Sequence, residues 1–185
     1  MKKFIFSLMG CLILVGVVGC QRIAEEKEKL DEIMNPEYEK IDNVDGILTE
    51  ILKHIANYHP DLSLVDGQLV DSDLGLPVFE VTEISKLDQF DMDDIVGGYL
   101  LRPVVDVDNV KMIVIAEADG KEASIRVKQN MEELKSDQYR ACEDGEFWEK
   151  NLVDSNVITR QGNFLLYVTW EGPTEITKVF ERHIR

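Results

Sequence analysis

The sequence predicts an α+β fold: a four-stranded, mainly antiparallel sheet of two hairpins with helices packed on one face, preceded by a signal peptide and a charged tether. Three observations carry that expectation. Two β-branched, apolar runs, Tyr99 to Val107 and Val110 to Ala118, flank the turn dipeptide Asp108-Asn109. Two further strand-like runs, Val157 to Arg160 and Asn163 to Trp170, flank Gln161-Gly162. Around these hairpins lie segments whose apolar residues recur at the spacing of one helix face.

At the N-terminus, Lys2 and Lys3 precede an apolar run from Phe4 to Gly19, the layout of an export signal. That run has sixteen residues, short of the roughly 20 that a spanning helix needs. It ends in "LVGVVGCQR", in which Val17, Val18 and Gly19 stand ahead of Cys20. This stretch resembles the lipobox of bacterial lipoproteins. The resemblance implies that the Cys20 thiol takes a diacylglyceryl group and that the bond after Gly19 is then cut. Residues 1–19 are thus read as signal peptide and 20–45 as a lipid-anchored tether. Two or more acyl chains give a lasting hold on a bilayer where one is marginal.

The chain carries 20 basic and 36 acidic side chains, a net charge of −16. Loss of Lys2 and Lys3 with the leader makes the balance more negative still. Such a charge keeps a domain soluble and disfavours nucleic acid and anionic lipid as partners. Of three cysteines, Cys11 leaves with the leader and Cys20 takes lipid, so Cys142 remains and no internal disulfide framework exists. Stability must come from packing.

Gln21 to Lys40 is rich in Glu and Lys with sparse apolar residues, the composition of a solvated tether. Residues 46–185 are read as one domain. Asp45-Gly46 opens a helix with Ile47, Leu48, Ile51, Leu52 and Ile55 on one face, and Pro60 ends it. Asp61 to Gly75 reads as a loop with scattered aspartates. Pro77 to Ile84 fits either a short strand or a helical turn, and Asp91-Met92-Asp93-Asp94 a short helix stopping at Gly97-Gly98. "VKMIVIAEA" is apolar on both faces near its middle, which suits a central strand.

After Asp119-Gly120, Ala123, Val127, Met131 and Leu134 define a long helix. Phe147, Trp148 and Leu152 belong to a short one that packs its aromatics on the sheet. Gly172-Pro173 starts a terminal helix with Ile176, Val179, Phe180, His183 and Ile184 on one face.

From Tyr99 to His183 the run "YLLRPVVDVDNVKMIVIAEADG", the charged helix "VKQNMEELKSDQYRA" and the strand pair "VITRQGNFLLYVTW" follow one another. This half of the chain resembles the module of a family of small lipoproteins from Gram-positive bacteria, catalogued as domain of unknown function 4358 (DUF4358). That family more often has an arginine and a tyrosine-proline after the long helix, where this chain has Asp137-Gln138-Tyr139. The resemblance implies the same lipid-anchored address, and it brings no activity and no functional residues.

No Gly-x-Ser-x-Gly, phosphate loop, His-Glu-x-x-His or cysteine pair is present. No catalytic residue, metal ligand or cofactor is therefore assigned. Cys142 is a conceivable nucleophile with His54, His59 or His183 as base, but Glu143 and Asp144 follow it and disfavour a thiolate, so a packed thiol is the simpler reading. His54 and His59 stand five apart, off the i, i+4 face of a metal pair. Asp106, Asp108 and Glu117 match three places of a calcium loop, but Lys111 occupies the place of its glycine. The aspartate groups 61, 66, 71, 73 and 88, 91, 93, 94 read as a solvated acidic surface, with weak calcium sites as the alternative.

Phe147, Trp148, Tyr167 and Trp170 fall on elements expected to adjoin. Core packing explains them, and a partner patch of Phe147, Trp148 and Trp170 is the sharper alternative. The functional expectation is a lipid-anchored lipoprotein on the extracytoplasmic face of the cell membrane, a non-catalytic binding or accessory module for an envelope protein. The alternatives are an extracytoplasmic solute- or calcium-binding module and, behind it, a thiol-dependent enzyme.

Overall fold

The computed structural model describes residues 41–104, 110–142 and 147–184. The leader, Gly19, Cys20, most of the tether, Asp106, Asp108 and the Asp108-Asn109 turn lie outside the described residues. No described helix is long and apolar enough to cross a membrane.

Helix α1, Val44–Tyr58, starts on Asn43, whose side chain accepts the Gly46 N–H at 2.8 Å. Its buried stripe of Val44, Ile47, Ile51, Leu52 and Ile55 is the one the sequence periodicity marks. The chain then departs from expectation. Leu62–Val65 (β1) and Gln68–Asp71 (β2) pair antiparallel as a hairpin where a loop was expected. The connection is Asp66-Gly67, with φ of 49° and 80°. Positive φ at both central positions gives the turn the hand that suits paired strands.

Five strands form the main sheet: β3 Phe79–Glu83, β4 Ile95–Pro103, β5 Met112–Ala118, β6 Val157–Gln161 and β7 Phe164–Thr169. Their order is β3-β4-β5-β7-β6, and every neighbouring pair is antiparallel. Both expected hairpins, β4-β5 and β6-β7, are present. The fifth strand is the Pro77 to Ile84 segment, which pairs with β4 from Phe79↔Pro103 to Glu83↔Tyr99. Asp91 to Asp94 forms a 3₁₀ turn, Met92–Asp94, and Gly97-Gly98 continues β4 through a register shift instead of ending a helix.

The helices do not share one face. Ile113, Ile115, Leu166 and Val168 pack with Leu101 against α1 and against α4, Pro173–His183. Met112, Val114, Ala116, Leu165 and Tyr167 face the other way, onto Ala123, Val127, Met131 and Leu134 of α2, Gly120–Ala141. Helix α3, Phe147–Asp154, follows α2. The physical reason is that β5 and β7 are apolar at consecutive positions, so each presents an apolar face on both sides and each face needs a cover.

Candidate functional site

The residues singled out by sequence are distributed by the fold, and few come together. Tyr167 and Trp170 are both buried, at 0% and 3% exposure, but in different clusters on opposite faces of the sheet. Three residues apart along an extended chain, they point to opposite sides. Trp170 stacks on Phe79 with ring centroids 4.8 Å apart. Trp170 thus takes the core-packing role that the sequence also offered for it and is not an exposed patch residue. Phe147 and Trp148 open α3, and their side chains lie outside the described residues.

Cys142 caps the C-terminal end of α2 and is buried with Val110 and Val153. Beside it lies a polar node. The Tyr167 hydroxyl and the Thr169 hydroxyl both donate to Gln138 Oε1, the latter at 3.1 Å, while Gln138 Nε2 donates to the Val110 carbonyl at 3.1 Å. Asn156 Nδ2 donates to Thr169 Oγ1 and to the Val168 carbonyl, each at 3.0 Å. Burial holds the Tyr167 phenol well above its ordinary range. These groups tie the end of α2 to β7 and to the strand entry at Val110. The histidines lie elsewhere: His54 on α1, His59 just past it and His183 at the end of α4, with His183 Nε2 3.9 Å from Glu50 Oε2. Burial lowers the His54 pKa.

The aspartate groups serve local structure. Asp71 Oδ1 accepts the Asp73 and Leu74 N–H groups, Asp91 caps the 3₁₀ turn through Asp93 N–H, and Asp94 is held by Arg126. Among the described residues, no group of three His, Cys, Asp or Glu could hold a metal ion.

Two surface features have the shape of a site. The first is a groove of about 650 Å³ at one end of the sheet, lined by Ile41, Asp42, Glu117, Gln161, Asn163 and Phe164 among others. It is formed where the end of β5 and the β6-β7 turn meet the chain entering α1. Glu117 is half-buried on the central strand, and burial, followed by the nearby Asp42 carboxylate, raises its pKa. Nothing in the sequence pairs Asp42 with Glu117; the fold alone does.

The second is the β1-β2 hairpin with the loop after it. Tyr58, Val65, Leu74 and Leu76 are 67%, 51%, 71% and 59% exposed, while Leu62, Leu64 and Leu69 turn inward to the core. The loop is pinned: Asp71 N–H bonds to Leu76 O at 2.9 Å, Ser72 N–H to Asp61 O at 2.8 Å and Gly75 N–H to Asp71 O at 2.8 Å. Ser63 and Ser72 hydroxyls meet at 2.8 Å. From His54 to Ser85 the chain has no Lys or Arg and six acids, of which Asp61, Asp66 and Asp73 are exposed around these apolar side chains. The sequence signals for this surface are two isolated leucines beside a glycine and a long stretch without cations, both weak against the loop reading that the scattered aspartates favour.

No family model, no curated protein and no solved structure matches the chain.

Proposed function

We propose that the chain is a lipid-anchored lipoprotein of the cell envelope whose α+β domain is a non-catalytic binding or accessory module, held on the extracytoplasmic face of the membrane through acyl chains on Cys20. The observation that carries this reading is the run Leu14 to Cys20, which joins a positive start, a short apolar stretch and small residues ahead of a cysteine. The Glu- and Lys-rich segment that follows has the composition of a tether. The resemblance to the domain-of-unknown-function 4358 lipoproteins points to the same address. The envelope partner would be a protein, since the net charge of −16 disfavours nucleic acid and anionic lipid.

The test is Cys20→Ser with labelled palmitate. The wild-type protein incorporates the label and fractionates with membrane, and the serine variant does neither. Equal membrane retention of an unlabelled, unprocessed serine variant overturns the lipid anchor.

A second reading, a solute- or cation-binding module, is favoured by the groove at Glu117. A half-buried carboxylate facing Asp42 is an arrangement that a bound cation relieves. Here the wild-type melting temperature rises with calcium or a small organic cation, as ligand linkage requires, and Glu117→Gln loses that rise. A flat response of the wild type across such a panel removes this reading and leaves the first.

A further inference from the structure

Exposed leucines are ordinary on mobile loops, where a side chain can fold back onto the surface. The loop from Ser72 to Val78 is different. Its backbone is tied at both ends, by Ser72 N–H to Asp61 O and by Val78 N–H to Leu69 O at 3.1 Å. Inside it, the Asp71 carboxylate accepts both Asp73 and Leu74 N–H groups at 2.9 and 2.7 Å. Leu74 and Leu76 are therefore held outward by hydrogen bonds on residues beside them. A preformed apolar display loses little entropy on docking. The Ser72 to Asp61 bond also places the loop beside the end of α1, where Tyr58 is exposed.

The surrounding charge selects the occupant. Asp61, Asp66 and Asp73 are exposed on this unit, and the segment from His54 to Ser85 contributes no Lys or Arg of its own. An apolar centre with an acidic rim is complementary to a segment that is apolar on one side and basic on the other. Two copies of this acidic surface would repel each other.

We infer that the β1-β2 hairpin and the Ser72 to Val78 loop form a docking surface for a basic, apolar-faced segment of a partner protein, with Leu74 and Leu76 as anchors and Asp61 and Asp73 as the charged rim beside them. This rests on the binding-module reading and gives it a surface and a partner chemistry. Because the contact is rimmed by exposed charge, its affinity falls with added salt.

The experiment uses the full chain in phosphatidylcholine nanodiscs and two fourteen-residue probes, one with leucines and lysines at helical spacing and one with glutamate replacing each lysine. Binding is followed by fluorescence anisotropy against empty discs, and the contact is mapped by amide hydrogen exchange. The lysine probe protects residues 58–78 and the glutamate probe does not. The double variant Leu74→Ser with Leu76→Ser weakens the lysine probe at least about tenfold, while Ile125→Ser, an exposed apolar residue on α2, leaves its affinity unchanged. Both sets of changes remove solvent-exposed side chains and keep the charge, so folding is preserved.

Equal affinity of the serine double variant, or protection away from 58–78, overturns the inference. Protection of 58–78 by the nanodisc alone, without probe, overturns it in favour of a lipid surface. Cys20→Ser reports on the anchor independently, because probe binding to the hairpin does not require the acyl chains.

Discussion

Arg126, on the second turn of α2, clasps Asp94 in both arms of its guanidinium. Nε reaches Oδ2 at 2.8 Å and a terminal nitrogen reaches Oδ1 at 2.5 Å. Asp94 ends the 3₁₀ turn that leads into β4, and its carbonyl accepts the Asp119 N–H at 2.9 Å, just ahead of α2. One residue thus joins the start of an inner strand to the start of the helix that covers it.

The clasp predicts an acid sensitivity. Hydrogen bonding to Arg126 holds the Asp94 pKa below its ordinary value of 3.8. A depressed carboxylate stabilises the fold fully above its unfolded value and loses that contribution as pH falls through the lower folded one. Melting temperatures measured from pH 6 to pH 2 should fall less steeply for Asp94→Asn and Arg126→Met than for wild type in the most acidic part of that range. Parallel curves would show that the pair contributes nothing to the acid limb.

Gly98 predicts a steric cost. A Cβ there would stand 2.7 Å from the Ile115 carbonyl oxygen and 3.0 Å from Ile84 Cγ2. The oxygen belongs to the central strand and cannot swing aside as a side chain could. Gly98→Ala should destabilise by about 1 to 3 kcal/mol in urea unfolding. Gly67→Asn, at an open turn with positive φ, should cost far less.

The buried node at Gln138 predicts an asymmetry between its partners. Tyr167→Phe removes one donor and leaves Gln138 Oε1 accepting from Thr169, at a cost of about 1 kcal/mol. Gln138→Leu strips the acceptor from two buried hydroxyls and the donor from the Val110 carbonyl, a loss on the order of 3 kcal/mol. Equal losses in denaturant titrations would refute the assignment of Gln138 as the hub.

Cys142 predicts protection. It is 4% exposed among Val110, Val153 and Leu152. A thiol reagent should modify it only as fast as the domain opens, and fully once the chain is unfolded. Cys142→Ala should cost about 1 kcal/mol through lost packing. Rapid labelling of the native protein would contradict the burial and revive a thiol-based chemistry.

Much of the fold was legible because periodicity is local. Ile47, Ile51 and Ile55 announce α1, Ala123, Val127 and Met131 announce α2, and the runs around Gln161-Gly162 announce β6-β7, each by spacing alone. The β1-β2 hairpin was missed although Asp66-Gly67 is a strong turn signal. Its strands are only four residues long and lie among aspartates that read as solvent-facing loop. Pro77 to Ile84 stayed ambiguous because a five-residue strand needs β4 beside it to be a strand at all.

By itself, the sequence determined the acidic balance, the amphipathic helices and the two hairpins of the main sheet, because each depends on composition or on residues close together in the chain. Only the tertiary structure decided that helices cover both faces of the sheet, that Tyr167 and Trp170 part company, that Asp42 and Glu117 line one groove and that Leu74 and Leu76 stand outward on a pinned loop. Those outcomes depend on which distant segments share a surface, and that is settled when apolar faces on both sides of β5 and β7 compete for cover.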